Sequence, residues 1–250
     1  MSIFNKIYCI HLINYPDRKK LMTNGFNRIF NSDENIKFWE TVRKPWLNDE
    51  CANIITEYRK IHNEAKIKLP ISGSYYDYYN SGAKHILGTL FDCAYQLYSV
   101  LTIAKNTMPD NGKIAIFEDD FNFINDTNIV KNYLNNMPED YDMIRFYSSG
   151  YTNEALGNFV PKMYVNYKDA NNSTRGPLYH GGIGFLALSK KGVDHYIHYL
   201  ENIEFISDTC LMNYGYWCNS DLKCYFPTKL LYIPDYNNQH IPSTVLCWNF

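Results

Sequence analysis

Apolar residues along the chain gather into short unbroken runs and into longer stretches of helical spacing, and the two kinds alternate. The run at 6–12, Lys-Ile-Tyr-Cys-Ile-His-Leu, reads as a buried strand. Asn14-Tyr15-Pro16-Asp17 predicts a helix start, with Asn14 as N-cap, Pro16 in the first turn and Asp17 at the positive dipole end. A second strand is expected over 36–40 and a second helix over 48–63. Residues 85–106 carry helical spacing through Leu87, Leu90, Phe91, Ala94, Leu97, Leu101 and Ala104. Asn111-Gly112 then turns the chain into the strand Ile114-Ala115-Ile116-Phe117. A short helix over 126–137, a strand over 141–147 and a strand-like run over 178–188 follow, the last with Gly181, Gly182 and Gly184. Ser189 caps a helix over 189–200, and Ser207-Asp208 starts another. The tail, 230–250, reads as strand and loop. Residues 64–84, with Pro70, Gly73, Gly82 and a tyrosine cluster at 75–79, form a long irregular segment of the functional or mobile kind. The alternation predicts one α/β domain over 1–250, with a mostly parallel central sheet flanked by helices, and permits a Rossmann-like nucleotide site.

Composition narrows what such a domain does. At 250 residues, 46% hydrophobic and 20% charged, the chain describes a soluble globular protein with one large core. No stretch approaches the roughly 20 apolar residues of a membrane span, and residues 1–6 lead into the first strand without a signal-peptide pattern. A net charge of -2 with dispersed Lys and Arg argues against a nucleic-acid binder that works by neutralising phosphates. The seven cysteines include no C-x-x-C pair, and the spacing of Cys210, Cys218 and Cys224 fits no zinc ribbon or finger. A reducing, cytoplasmic compartment with mostly buried thiols is the expectation.

The chemistry concentrates where Ile114–Phe117 runs into Glu118-Asp119-Asp120. A hydrophobic strand cannot continue through three charges, so the chain emerges there into water or meets opposite charge. A polar turn helped by Asn122 and Asn125 is one reading; a metal site is the other, because ligands gather at the carboxyl ends of strands in open α/β sheets. Strand alternation lets Glu118 and Asp120 share a cation while Asp119 turns away. No G-x-x-x-x-G-K-[ST] is present, and Gly181-Gly182-Ile183-Gly184 does not follow the strand, G-x-G-x-x-G, helix order. A bound nucleotide diphosphate would therefore need a cation such as Mg²⁺ or Mn²⁺ on Glu118 and Asp120 as its counter-charge.

Three ordered segments carry a family resemblance. They are Ile7-Tyr8-Cys9-Ile10-His11-Leu12 with Asp17-Arg18, then Gly88 and its helix leading to Ile114 through Asp120, then Gly184-Phe185-Leu186-Ala187-Leu188-Ser189-Lys190-Lys191-Gly192 with Asp208 downstream. In this order they resemble glycosyltransferase family 25, the group of lipopolysaccharide and collagen sugar transferases. The resemblance implies a GT-A fold, a UDP-sugar donor, Mn²⁺ or Mg²⁺, and inverting transfer of a hexose to a hydroxyl of a glycan or protein. It assigns metal binding to Glu118 and Asp120, with His240 reaching in from the tail. It assigns donor binding to His11, Leu12, Arg18 and Asp119. An inverting transfer needs a base for the acceptor hydroxyl, and Asp208 takes that role. The chain departs from the pattern where the family has a His in the helix before the acids; Gln96 stands there.

Other readings stand beside this one. A non-catalytic glycan- or protein-binding module would keep the fold and lose the chemistry, and the altered helix around Gln96 motivates it. A metal-dependent nucleotidyl or phosphoryl transferase also wants paired acids. Arg18 beside Lys19 and Lys20 also reads as a solvated helix charge, and Asp208 as an N-cap with Ser207. His195 and His198 lie three apart without an evident third ligand and read as a partly exposed helix face. The tyrosines at 75–79 suit stacking on sugar rings, and Gly181 and Gly182 suit close backbone approach or a bulge.

Overall fold

Strand β3 (Lys113–Glu118) stands near the middle of the sheet, and its interior Ile114, Ala115, Ile116 and Phe117 are all fully buried. Both of its faces are covered, which is why it reads as an unbroken apolar run instead of an alternating one. The computed structural model describes residues 3–30, 35–41, 84–146, 159–161, 184–202, 221–227 and 231–234. In chain order the other strands are β1 (Lys6–Leu12), β2 (Ile36–Thr41), β4 (Phe121–Phe123), β5 (Met143–Arg145), β6 (Phe159–Pro161), β7 (Phe185–Ser189), β8 (Cys224–Pro227) and β9 (Tyr232–Pro234). The helices are α1 (Pro16–Ile29), α2 (Lys84–Thr107), α3 (Thr127–Asn135) and α4 (Lys190–Asn202).

Seven strands form one sheet in the order β2-β1-β3-β7-β5-β8-β6. β2, β1 and β3 are parallel. β7 runs against both β3 and β5, β8 runs with β5, and β6 runs against β8. The sheet is thus mixed, where the alternation predicted a mostly parallel one. An antiparallel strand buried on both faces, like Phe185–Leu188 of β7, has the same apolar signature as a parallel one, so the sequence pattern does not carry its direction.

One face of the sheet packs Ile7, Cys9, Ala115, Phe117, Phe185 and Ile144 against Met22, Phe26 and Ile29 of α1 and Val130, Tyr133 and Leu134 of α3. Phe117 lies stacked on Phe185 at 4.1 Å between ring centroids, and Phe185 on Phe146 at 4.0 Å. α2 and α4 pack together, with α2 against β1 and α4 against β7. Their buried stripes are Leu97, Val100, Leu101 and Ala104 on α2, and Val193, Tyr196, Ile197 and Leu200 on α4. Among the described residues no helix is long and apolar enough to cross a membrane. Cys9 and Cys224 are buried thiols.

Several boundaries shift from expectation. The N-cap of α1 is Tyr15, which makes no side-chain cap, and not Asn14; Pro16 at the first position fixes the helix start on its own. Asp126 caps α3 by accepting from the amides of Asn128 and Ile129, while Asn125 lies exposed. The strand expected over 141–147 narrows to Met143–Arg145. β4 and β9 pair into a separate two-stranded ribbon, Phe121–Phe123 against Tyr232–Pro234, that follows directly on the acidic turn. The helices expected over 48–63 and from Ser207, the tyrosine cluster at 75–79, Gly181, Gly182 and most of the tail lie outside the described residues.

Candidate functional site

β1 leads through α1 to β2 on one side of it, and the chain then returns to lay β3 on the other side. Connections leaving in opposite directions open a crevice between the carboxyl ends of β1 and β3, the place where α/β sheets bind ligands. The residues at those two ends are His11 and Leu12 on β1, and Glu118, Asp119 and Asp120 on β3 and the turn after it.

The strand ends at Glu118, so Asp119 and Asp120 lie in a turn and the expected strand alternation does not extend across all three acids. Asp119 is buried at 4% exposure, whereas Glu118 and Asp120 are half-buried. Asp119 Oδ2 accepts from the Leu12 amide at 2.9 Å and lies 2.7 Å from His11 Nδ1. Its Oδ1 accepts from Arg18 Nη1 at 3.0 Å. An ionised carboxylate only accepts, so His11 carries its proton on Nδ1 in this arrangement. Arg18 reaches Asp119 from the first turn of α1, at the head of the buried stripe Arg18, Met22, Gly25, Phe26 and Ile29. Its guanidinium also lies 4.4 Å over the Tyr15 ring. The solvated-charge reading of Arg18 is overturned: the side chain is 1% exposed.

Glu118 is held separately. Register pairs it with Ile10, placing it on the opposite face from Cys9 and Phe117. Its amide donates to the Gly184 carbonyl at 2.9 Å, and the Gly184 amide donates to Glu118 Oε2 at 2.7 Å. Gly184 achieves this at φ 57°, a left-handed conformation that suits glycine. The Glu118 carbonyl accepts from Tyr232 Oη at 2.7 Å, so the β4–β9 ribbon also fixes the turn. The Tyr232 ring stacks on Phe121 at 5.3 Å between centroids.

Two buried groups near the three acids keep their protons more tightly than usual. The Cys9 thiol is pushed well up, first by burial and then by Asp119, Asp120 and Glu118. The Tyr232 phenol is pushed well up by burial, then by Cys9 and the same three acids. The oxygen donors of Glu118 and Asp120 are of the kind a hard cation takes. Among the described residues no group of three or more His, Cys, Asp and Glu is arranged to hold a metal. A cation here would take water or phosphate oxygens besides one or two carboxylates, as Mg²⁺ does.

His11, Leu12, Arg18 and Asp119 thus come together in one contact network, with Glu118 and Asp120 flanking it. Asp208 and His240 lie outside the described residues. His195 is half-buried and His198 exposed on α4. Gln96 accepts from Trp39 Nε1 at 2.6 Å, which ties α2 to the edge strand β2. Sequence reasoning missed the contacts of Gly184 and Tyr232 and the burial of Arg145. Arg145 is 3% exposed on β5, which runs in the same direction as β3, and its charge is felt with that of Glu118 by the buried Tyr196. The signal for Arg145 was a lone cation inside the apolar stretch Met143-Ile144-Arg145-Phe146.

The third resembling segment has a structural account at the other edge of the sheet. Ser189 Oγ accepts from the Gly192 amide at 3.2 Å and donates to Asp142 Oδ1 at 3.1 Å. A Cβ on Gly192 would stand 2.1 Å from the Asp142 carbonyl oxygen, so α4 docks there only without a side chain. Compared with known proteins, the chain matches no family model and no curated protein.

Proposed function

We propose that this protein is a metal-dependent glycosyltransferase that moves a hexose from a UDP-sugar to a hydroxyl acceptor on a glycan or protein. The observation that carries the reading is the reversal of strand order at β1 and β3, with the half-buried carboxylates Glu118 and Asp120 at the carboxyl end of β3. The mixed sheet with its parallel β2-β1-β3 half is compatible with the GT-A fold that the resemblance implies.

In this reading Glu118 and Asp120 bind Mn²⁺ or Mg²⁺ together with the donor diphosphate, and His240 joins them from the tail. The cation supplies charge neutralisation for the departing diphosphate. Glu118 keeps its aim through the Gly184 amide, and the Tyr232 hydroxyl anchors the backbone beneath it. Asp208 takes the proton of the attacking acceptor hydroxyl. Gln96, which stands where the family pattern has His, accepts from Trp39 Nε1 and so takes part in packing α2 against β2.

The test is calorimetric titration of UDP with Mn²⁺ and then with chelator, followed by a panel of UDP-sugars. Binding that needs the metal is expected, together with hydrolysis or transfer of one sugar. Asp120→Asn should weaken metal-supported UDP binding by more than the roughly 10–100-fold typical of residues behind a ligand. Metal-independent UDP binding, or none at all, sinks the proposal; turnover of nucleotides without a sugar would point to nucleotidyl or phosphoryl transfer.

A further inference from the structure

We infer that His11, Arg18 and Asp119 form one positioning unit behind the cation site, and that Asp119 touches neither cation nor donor. The inference rests on the metal-dependent reading above and specifies how that site is held.

Asp119 is 4% exposed, and three of the roughly four acceptor positions of its carboxylate are used. Asp119 Oδ1 is taken by Arg18, and Oδ2 by His11 and the Leu12 amide. The donors in this contact come from β1 and from the first turn of α1, while the acceptor follows β3. The unit therefore pins three elements at the floor of the crevice. With Asp119 drawn to the α1 side, Glu118 stays on the face of Ile10, held by the Gly184 amide, and Asp120 follows in the same short turn. Electrostatics point the same way. Arg18 is 1% exposed and ion-paired to Asp119, which favours a cation over Arg18 as the counter-charge for a diphosphate. That duty falls to the cation, and the aim of Glu118 and Asp120 becomes the property the buried unit protects. Partners that orient metal ligands from behind commonly govern 10–100-fold in metal affinity.

A double-mutant cycle on Mn²⁺ affinity tests this, read by the electron paramagnetic resonance of free Mn²⁺ with the 250-residue chain. Near-ultraviolet circular dichroism reports the fold of each variant. Arg18→Met and Asp119→Asn should each weaken Mn²⁺ about 10–100-fold, and the double variant should be no more than about 3-fold weaker than the worse single. Asp120→Asn serves as the direct-ligand reference and should show no measurable binding. If either single variant fails to fold, Arg18→Met with Asp119→Leu exchanges the buried pair for apolar side chains and keeps the fold. That variant must still show the 10–100-fold loss.

Three results overturn the inference. Asp119→Asn behaving like Asp120→Asn while Arg18→Met binds normally would make Asp119 a ligand. Folded variants that all bind Mn²⁺ as the wild type does would make the unit purely structural. Wild-type protein that binds no Mn²⁺ overturns the metal-dependent reading and this inference together, and is recognised before any variant is made.

Discussion

Asp119 and Asp142 are both densely bonded aspartates, yet they stand at opposite edges of the sheet. Asp119 follows the carboxyl end of β3; Asp142 precedes β5, whose amino end lies at the other edge. Asp142 accepts from Ser189 Oγ and the Lys223 amide, its carbonyl accepts from the Ser189 amide, and Lys191 Nζ lies 3.3 Å away. Asp119 accepts from a buried guanidinium, a buried imidazole and one amide. The difference is in the partners. Asp142 uses neutral groups and a half-exposed lysine to dock α4, whereas Asp119 neutralises a cation that has no access to water. A bonded aspartate is therefore not informative by itself. Its edge of the sheet and the charge of its partners separate a docking clamp from a site foundation.

The largest expected effect follows from that asymmetry. Asp119→Ala removes the carboxylate paired with a buried guanidinium and should cost about 3–5 kcal/mol. Asp142→Ala leaves its lysine partner free to reach water and should cost only about 1–3 kcal/mol. Urea denaturation of both variants measures the difference. Equal losses would break the comparison and make Asp119 a clamp of the same kind as Asp142.

Two glycines sharpen it at a smaller scale. Gly192→Ala drives a methyl into the Asp142 carbonyl oxygen, a backbone atom that cannot swing aside, and should cost about 1–3 kcal/mol by overpacking. Its Mn²⁺ affinity should equal that of the wild type, because the clash lies at the far edge of the sheet. Gly184→Ala should cost about 1–2 kcal/mol for its left-handed conformation. It should also weaken Mn²⁺ binding, because the amide that holds Glu118 Oε2 must turn. If Gly192→Ala weakened the metal and Gly184→Ala did not, the division between the two edges would be wrong.

Legibility in the sequence followed the strength of the local signal. β1, α1, β2, α2, β3 and α4 carry long apolar runs or sustained helical spacing, and each was expected close to its observed place. β4 and β9 are three residues each, too short for any period to register, and their pairing joins residues more than a hundred positions apart. The direction of β7 was illegible because full burial erases alternation. At the site, the acids announced themselves by interrupting a buried run. The Arg18–Asp119 pair did not, because Arg18 sits among Lys19 and Lys20 on a helix whose polar face looks solvated. Only the packing of α1 against β1 and β4 reveals that Arg18 lies on the buried side.

The smallest expected effect lies in alkaline stability, and it again contrasts the two edges. Under the acids, Cys9 and Tyr232 are raised by burial and by negative charge; at the amino edge, Tyr141 is raised by burial alone. A folded-state value raised above the unfolded one means the native protein retains a proton the unfolded chain gives up. Stability from these groups is full below the unfolded values, 9.0 for the thiol and 10.0 for the phenols, and falls as pH climbs toward the raised folded ones. Each group subtracts up to about 1.4 kcal/mol per pH unit across its window. Between pH 9 and 10 the thiol contributes more than a phenol does, so Cys9→Ala should flatten the loss in that interval more than Tyr141→Phe does. Urea midpoints at pH 8, 9 and 10 measure the slopes. Unchanged slope in Cys9→Ala would mean that the Cys9 thiol does not hold its proton under Glu118, Asp119 and Asp120.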